Sequence, residues 1–209
     1  MDATSKRGWF MPYILSNHND EKLFCGTYLV YKLNYLKNSN PFFQTNTWQA
    51  ISPDLTDKNP GNEERFHYIT AIDESKQDSN LIIAGTSDAN FWRTKDGGKN
   101  WVQLFGLPNQ YITSIKISEQ DKSKFFVTLS GYKDNSNLPH IYYSKTAGDQ
   151  WINISGNLTN LAINDLEILP NTNDSSIVVA TDGGVYLTQN LGTSWKKLGT
   201  GMPIIPVLT

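Results

Sequence analysis

The chain has 209 residues, with 18 basic and 20 acidic side chains and a formal charge of −2, so it carries neither the basic footprint of a nucleic-acid binder nor a polybasic membrane patch. Its single cysteine, Cys25, excludes an intramolecular disulfide and a cysteine-based zinc cluster. Aromatic residues are plentiful, Gly, Pro, Asn, Asp and Ser punctuate the chain every few positions, and no apolar run reaches the roughly 20 residues of a membrane-spanning helix, all of which reads as an all-β protein.

In chain order, Met1 to Gly8 lacks the charged-then-apolar layout of a signal peptide. Strands are then predicted at 9–15 (W-F-M-P-Y-I-L), 23–27 (L-F-C-G-T), 30–34 (V-Y-K-L-N) and 48–51 (W-Q-A-I), with an insertion, L-K-N-S-N-P-F-F-Q-T-N-T, before the last. Cys25 falls in the second strand and is expected to be buried there. The same succession returns three times. A strand (Y-I-T-A-I-D, Y-I-T-S-I-K-I, A-I-N-D-L-E-I-L), a polar turn, and an apolar run (L-I-I-A-G-T, F-F-V-T-L-S-G, I-V-V-A-T-D-G) lead to a third strand and a short motif.

That motif aligns without gaps at three places. Thr94, Asp96, Gly98 and Trp101 occupy the offsets held by Ser144, Thr146, Gly148 and Trp151, and by Thr188, Asn190, Gly192 and Trp195. With Trp48, the tryptophans stand 53, 50 and 44 residues apart. A repeat of four short antiparallel strands with a period near 50 predicts β-propeller blades, which usually take about 40 to 50 residues. A β-sandwich of hairpins is the alternative, but it has no reason to repeat one turn sequence. Blades are expected at 9–51, 66–105, 110–155 and 161–199 of one propeller domain, with 202–209 opening a further blade as its innermost strand.

Each residue type in the motif has a structural reason to be there. Gly97 and Gly98 accept positive φ in a hairpin, Asp96 can fold back onto backbone N–H groups, and Thr94 can add a hydroxyl contact. Trp101 supplies an apolar plate between blades. Because Asn190 and Thr146 stand where Asp96 does, the position tolerates neutral replacement, which a catalytic carboxylate or a calcium ligand would not.

The spacing Ser/Thr-x-Asp/Asn-x-Gly-x-x-Trp in strand-flanked repeats resembles the Asp-box, or BNR repeat, of sialidases, xyloglucanase-type glycoside hydrolases, the sortilin luminal propeller and BNR-type photosystem II assembly factors. The stretches H-N-D-E-K-L-F-C-G-T and W-Q-A-I-S-P-D-L-T are most similar to exported bacterial propellers of the sortilin-like, glycosyl-hydrolase type. The resemblance implies structural boxes on the face opposite any active site, and a secreted or cell-surface location.

On that opposite face the chain places the loops 52–68, 87–90, 131–140 and 155–161, where function is expected. Two readings compete. The first is a non-catalytic scaffold that binds carbohydrate or protein, with Trp9, Tyr68, Trp92, Tyr111 and Tyr132 near the loops. The second is a xyloglucanase-like glycoside hydrolase, which needs two carboxyl groups roughly 5 to 10 Å apart. Its candidates are Asp54, Asp57, Glu63, Glu64, Asp88, Asp134 and Asp165, with Asp165, Asp88 and Asp54 foremost. Asp165 begins an innermost strand where its siblings have Ala71 and Ser114. A sialidase is disfavoured, since Arg7, Arg65 and Arg93 lack an Arg-Ile-Pro context. His18, His67 and His140 fall in separate loops without metal-ligand or Ser/His/Asp spacing, so neither metal nor cofactor is expected. Four blades make an open arc, which implies further blades or self-association as partners.

Overall fold

The computed structural model describes residues 11–34, 47–56, 67–130, 140–158, 161–201 and 206–208. Among these the fold is all-β, in four antiparallel sheets whose strands follow one another in chain order. The first holds β1 (Tyr13–Leu15), β2 (Lys22–Gly26), β3 (Val30–Asn34) and β4 (Gln49–Ala50). The second holds β5 (Ile69–Glu74), β6 (Ile82–Thr86), β7 (Phe91–Thr94) and β8 (Val102–Leu104). The third holds β9 (Tyr111–Ile117), β10 (Phe125–Ser130), β11 (Ile141–Ser144) and β12 (Ile152–Asn153). The fourth holds β13 (Ile163–Ile168), β14 (Ile177–Thr181), β15 (Gly184–Thr188) and β16 (Lys196–Lys197). By internal packing the chain divides into two compact units, Met1–Leu104 and Phe105–Thr209, each built on two sheets.

Two sequence expectations change in detail. The strand expected from residue 9 begins only at Tyr13, after Pro12, which has no N–H to give to a ladder and here offers its carbonyl to Gly26 at 2.9 Å. The fourth strands start one residue after their tryptophans. These outer strands run for only two or three residues, and β16 exposes Lys196 and Lys197, which blunts the edge against pairing with other chains.

The repeat is visible in the register. Ile82 pairs with Thr94, Phe125 with Ser144 and Ile177 with Thr188, so the three motifs leave their sheets at the same rung. A β-bulge recurs near the start of the innermost strand. The ladder skips Thr70 between Ile69 and Ala71, Thr113 between Ile112 and Ser114, and Asn164 between Ile163 and Asp165.

The core of each unit lies between its two sheets. In the first unit Phe24 and Val30 of one sheet meet Ile69, Ile72, Ile82 and Ala84 of the next, with Leu55 sealing the end. In the second, Phe126, Tyr143 and Ile154 meet Ile163, Leu166, Ile177, Val179 and Trp195. Full burial of such a side chain is worth about 1.5–3 kcal/mol, so the sheets are held to each other mainly by this apolar contact. Cys25 is buried in β2, as expected.

Candidate functional site

The three motifs build one hydrogen-bond pattern from different residues. In the first, Thr94 Oγ1 accepts the Gly98 amide at 3.0 Å and donates to Asp96 Oδ1 at 2.8 Å. Asp96 Oδ1 accepts the Asn100 amide at 2.9 Å, and Oδ2 accepts Asn100 Nδ2 at 2.6 Å. The third repeats it with Thr188, Asn190, Gly192 and Ser194: Gly192 N to Thr188 Oγ1 at 3.0 Å, Thr188 Oγ1 to Asn190 Oδ1 at 2.9 Å, Ser194 N to Asn190 Oδ1 at 2.9 Å. In the second, Gly148 N donates to Ser144 Oγ at 2.9 Å and Gln150 N to Thr146 Oγ1 at 2.9 Å. An acceptor at the third position suffices; charge is optional.

Where the acceptor is charged, the same bonds tune it. The Asn100 amide, then the Asn100 side chain, then the Thr94 hydroxyl favour the carboxylate of Asp96 and lower its pKa to about 2. The fourth residue of each motif ties the hairpin to the turn between the first two strands of its own sheet. Gly97 N donates to Asn80 O at 3.0 Å, Ala147 N to Ser123 O at 2.6 Å and Leu191 N to Ser175 O at 2.9 Å. The tie demands a left-handed backbone, with φ of 71°, 54° and 51° respectively, and two of the three are not glycine.

The motif also reaches the preceding sheet, as expected of Trp101, through an acceptor that residue type did not reveal. Trp101 Nε1 donates to Ile51 O at 2.8 Å, and Trp195 Nε1 donates to Ile154 O at 3.0 Å. Ile51 and Ile154 are equivalent, each closing a fourth strand through an amide bonded back to the third (Ile51 N to Val30 O, Ile154 N to Ile141 O). The box glycine lies against the same isoleucine. A Cβ on Gly98 would fall 2.7 Å from Ile51 O, and one on Gly192 would collide with Ile154 O. The spacing Gly-x-x-Trp is therefore a requirement of the joint between sheets, since the glycine admits the neighbouring backbone and the tryptophan bonds to it.

Buried carboxylates add a second joint. Glu74, at the end of β5, accepts Ser16 Oγ at 3.1 Å and the Asn17 amide at 2.6 Å from the first sheet. In the second unit Asp174 accepts Ser118 Oγ through both oxygens, at 2.9 and 2.8 Å, and Lys124 Nζ at 3.0 Å. The Asp174 carboxylate raises the pKa of Lys124 against the opposing pull of burial. Neither acid stands out in the sequence, because Glu74 borders and Asp174 lies in a polar turn among other polar residues.

Of the sequence-derived acids, Asp54 and Asp88 in the first unit and Asp165 in the second lie at the ends of their sheets remote from the boxes. Asp54 accepts the Thr56 amide at 2.9 Å and its hydroxyl at 2.6 Å. Asp88 accepts Asn90 Nδ2 at 2.8 Å and lies 3.5 Å from His67 Nδ1, while Asn90 in turn accepts Gln103 Nε2 at 2.7 Å. Asp165 is half-buried in β13, beside the bulge at Asn164 and opposite Ala180. Ala71 and Ser114 take the same rung opposite Gly85 and Thr128. Asp57, Glu63, Glu64 and Asp134, with Trp9 and Tyr132, lie outside the described residues. Tyr68, Trp92 and Tyr111 are half-buried, and Trp92 Nε1 donates to Leu55 O at 2.7 Å. Among the described residues no three His, Cys, Asp or Glu side chains come together as a metal would require. The bulge positions carry polar side chains: Thr70 Oγ1 donates to Gly85 O at 3.2 Å, and Thr113 Oγ1 lies 2.8 Å from Thr128 Oγ1.

No protein-family model matches the chain. An ancestral GH74 enzyme superposes on 94% of it with a TM-score of 0.67 at 14% identity, over 25% of that enzyme's own length. The chain has the Asp-box β-propeller fold. The propeller also matches the GH74 xyloglucanase of Xanthomonas campestris, over 96% of this chain and 32% of the other, with a TM-score of 0.62 at 13% identity. In sequence it is similar to vacuolar protein sorting/targeting protein 10 of Paracoccidioides brasiliensis (strain Pb18), being 35% identical over 71 residues, 34% of this chain and 5% of that protein. The likeness to sortilin-type and xyloglucanase-type propellers read from the boxes is thus borne out, and the propeller spans only a small part of each of these relatives.

Proposed function

We propose that this propeller is a non-catalytic scaffold that binds carbohydrate or protein at the ends of the sheets remote from the Asp-boxes, as part of an exported or cell-surface protein. The observation that carries the reading is how the candidate acids are employed. Asp54 closes a turn on Thr56, and Asp88 braces its loop through Asn90 and Gln103, so both carboxylates serve the positions of loops. In each unit a bulge carries a threonine two residues from a half-buried tyrosine, Thr70 with Tyr68 in the first and Thr113 with Tyr111 in the second, a mixture of hydroxyl and aromatic surface suited to a glycan or an extended peptide.

A second reading is favoured by Asp165. Among the described residues it is the one carboxylate placed at a bulge of an innermost strand, where bulges commonly re-aim side chains beside active sites, and the propellers of similar fold include xyloglucanases. In that reading Asp165 is one member of the acid pair that glycoside hydrolysis needs.

Binding to an immobilised panel of glycans and peptides tests the scaffold. A ligand is expected whose affinity falls several-fold in Thr113→Val or Tyr111→Ala and stays unchanged in Asp96→Asn, a box substitution. Loss of binding in Asp96→Asn with no effect at Thr113 and Tyr111 would place the ligand at the box and overturn the reading.

A further inference from the structure

The pair Asp-Gly occurs twice in the chain, as Asp96-Gly97-Gly98 in the first motif and as Asp182-Gly183-Gly184 in the tight hairpin that joins β14 to β15. It is a pairing prone to rearrange, because glycine has no Cβ to shield its amide nitrogen from the carboxyl group of the residue before it. In that reaction the glycine nitrogen attacks Cγ of the aspartic acid, the N–H proton and the carboxyl OH leave as water, and a five-membered succinimide closes. Water then opens the ring at the main-chain carbonyl, so the chain continues through Cγ and the aspartate becomes an isoaspartate. Water is the sole co-reactant, and nothing is oxidised or reduced. With two glycines behind each aspartate, the sites differ chiefly in how the fold holds the two reacting groups.

The motif site is held at both ends of the bond that would form. The Asp96 carboxylate accepts Thr94 Oγ1 at 2.8 Å, the Asn100 amide at 2.9 Å and Asn100 Nδ2 at 2.6 Å. With its pKa lowered to about 2, it is seldom the neutral acid that ring closure needs. The Gly97 nitrogen is committed to Asn80 O, a backbone carbonyl of the turn between β5 and β6, at 3.0 Å. The hairpin site has one restraint of each kind, and both are side chains. Asp182 accepts Asn164 Nδ2 at 3.0 Å, and the Gly183 nitrogen donates to Thr181 Oγ1 at 3.0 Å. Thr181 is buried and its hydroxyl donates in turn to Gly184 O at 2.7 Å, so one oxygen fixes the turn, while Asp182 keeps contact with solvent.

We infer that Asp182-Gly183 is a site of spontaneous isoaspartate formation, and that the Thr181 hydroxyl sets its rate by holding the Gly183 nitrogen. The added main-chain carbon lengthens the hairpin and draws Asp182 away from Asn164. Asn164 is the bulge residue that also bonds to Val207 O at 2.9 Å, so the change reaches the strand that carries Asp165. The inference concerns covalent change in the hairpin and stands independently of the binding function proposed above.

The test incubates the protein at neutral pH, in native buffer and in urea, and reads isoaspartate at residues 96 and 182 separately by peptide mapping with electron-transfer fragmentation. Unfolded in urea, the two sites are expected to convert at similar rates. In native buffer residue 182 is expected to convert about tenfold or more faster than residue 96. Thr181→Val should raise the rate at 182 about two- to tenfold, the worth of one hydrogen bond, while Thr181→Ser stays near wild type. Amide exchange at Val179, in the middle of β14, separates release of one nitrogen from opening of the sheet. A rise in Thr181→Val matched by faster exchange at Val179 would overturn the role given to the hydroxyl. Equal native rates at 96 and 182 would overturn the inference, as would no isoaspartate at 182 over a time in which the urea-unfolded chain converts. Should Thr181→Val fail to fold, the comparison of the two sites in the wild-type protein still decides.

Discussion

If the box glycine is needed by the joint between sheets, and not only by its own hairpin, Gly192→Ala should cost more than a left-handed turn can explain. Gly192 has φ +78° and a Cβ there would lie 2.7 Å from Ile154 Cβ and collide with the Ile154 carbonyl. Gly199 has nearly the same φ, +76°, with nothing within 4 Å of its Cβ position. Both substitutions incur the left-handed penalty of about 1–2 kcal/mol and both recover about 0.4–1 kcal/mol from a less flexible unfolded chain. Only Gly192→Ala adds the overpacking strain, about 1–3 kcal/mol, because Ile154 is fixed by its amide bond to β11 and by Trp195 and has little room to move. Urea unfolding followed by tryptophan fluorescence should place Gly192→Ala about 1–3 kcal/mol below Gly199→Ala. Equal losses in the two variants would refute the argument and return the box to a purely local role.

Three further outcomes are expected. Asp174→Asn should cost about 1–3 kcal/mol at pH 7, less than a fully enclosed pair because Lys124 keeps some solvent contact, and the gap to wild type should hold up to pH 10.5 and narrow above it as pH rises toward the raised pKa of Lys124; urea midpoints followed from pH 7 upward check both parts. Asp96, whose folded pKa lies near 2, contributes stability that is complete above its ordinary value of 3.8 and lost as pH falls through 2, so Asp96→Asn should match wild type at pH 7 and resist acid better in a pH titration of fluorescence. Ala147 holds φ +54° to reach Ser123 O, so Ala147→Gly should change stability by no more than about 1 kcal/mol and in the stabilising direction, as read from thermal midpoints.

Much of the architecture was legible because it recurs. One motif at constant offsets, with the same strands around it, identified the hairpins, and the register then set Ile82, Phe125 and Ile177 opposite the three hydroxyl residues that open it. The local part of the box was legible too, since Thr94, Asp96 and Gly98 act on backbone within a few residues. The tryptophan was expected between blades, but its acceptor was not, because the partner of Trp195 is a carbonyl 41 positions away, and a backbone carbonyl leaves no trace in residue type. Glu74 and Asp174 escaped for a related reason: their partners are serines, an asparagine amide and one lysine 50 or more positions distant, and in the sequence they look like solvated turn acids. The bulges at Thr70, Thr113 and Asn164 were hidden inside strands that alternate normally on either side. For the candidate acids the sequence could give position in a blade, as it did for Asp165 beside Ala71 and Ser114. It could not tell that Asp54 and Asp88 are held by the loops they belong to.

The division of labour between box and loop ends is tested most directly by release of reducing ends from xyloglucan, measured for wild type, Asp165→Asn and Asp96→Asn under identical conditions. A non-catalytic scaffold predicts release no greater than the buffer blank for all three proteins. Release by wild type and Asp96→Asn that vanishes in Asp165→Asn would contradict it and make Asp165 a catalytic carboxylate.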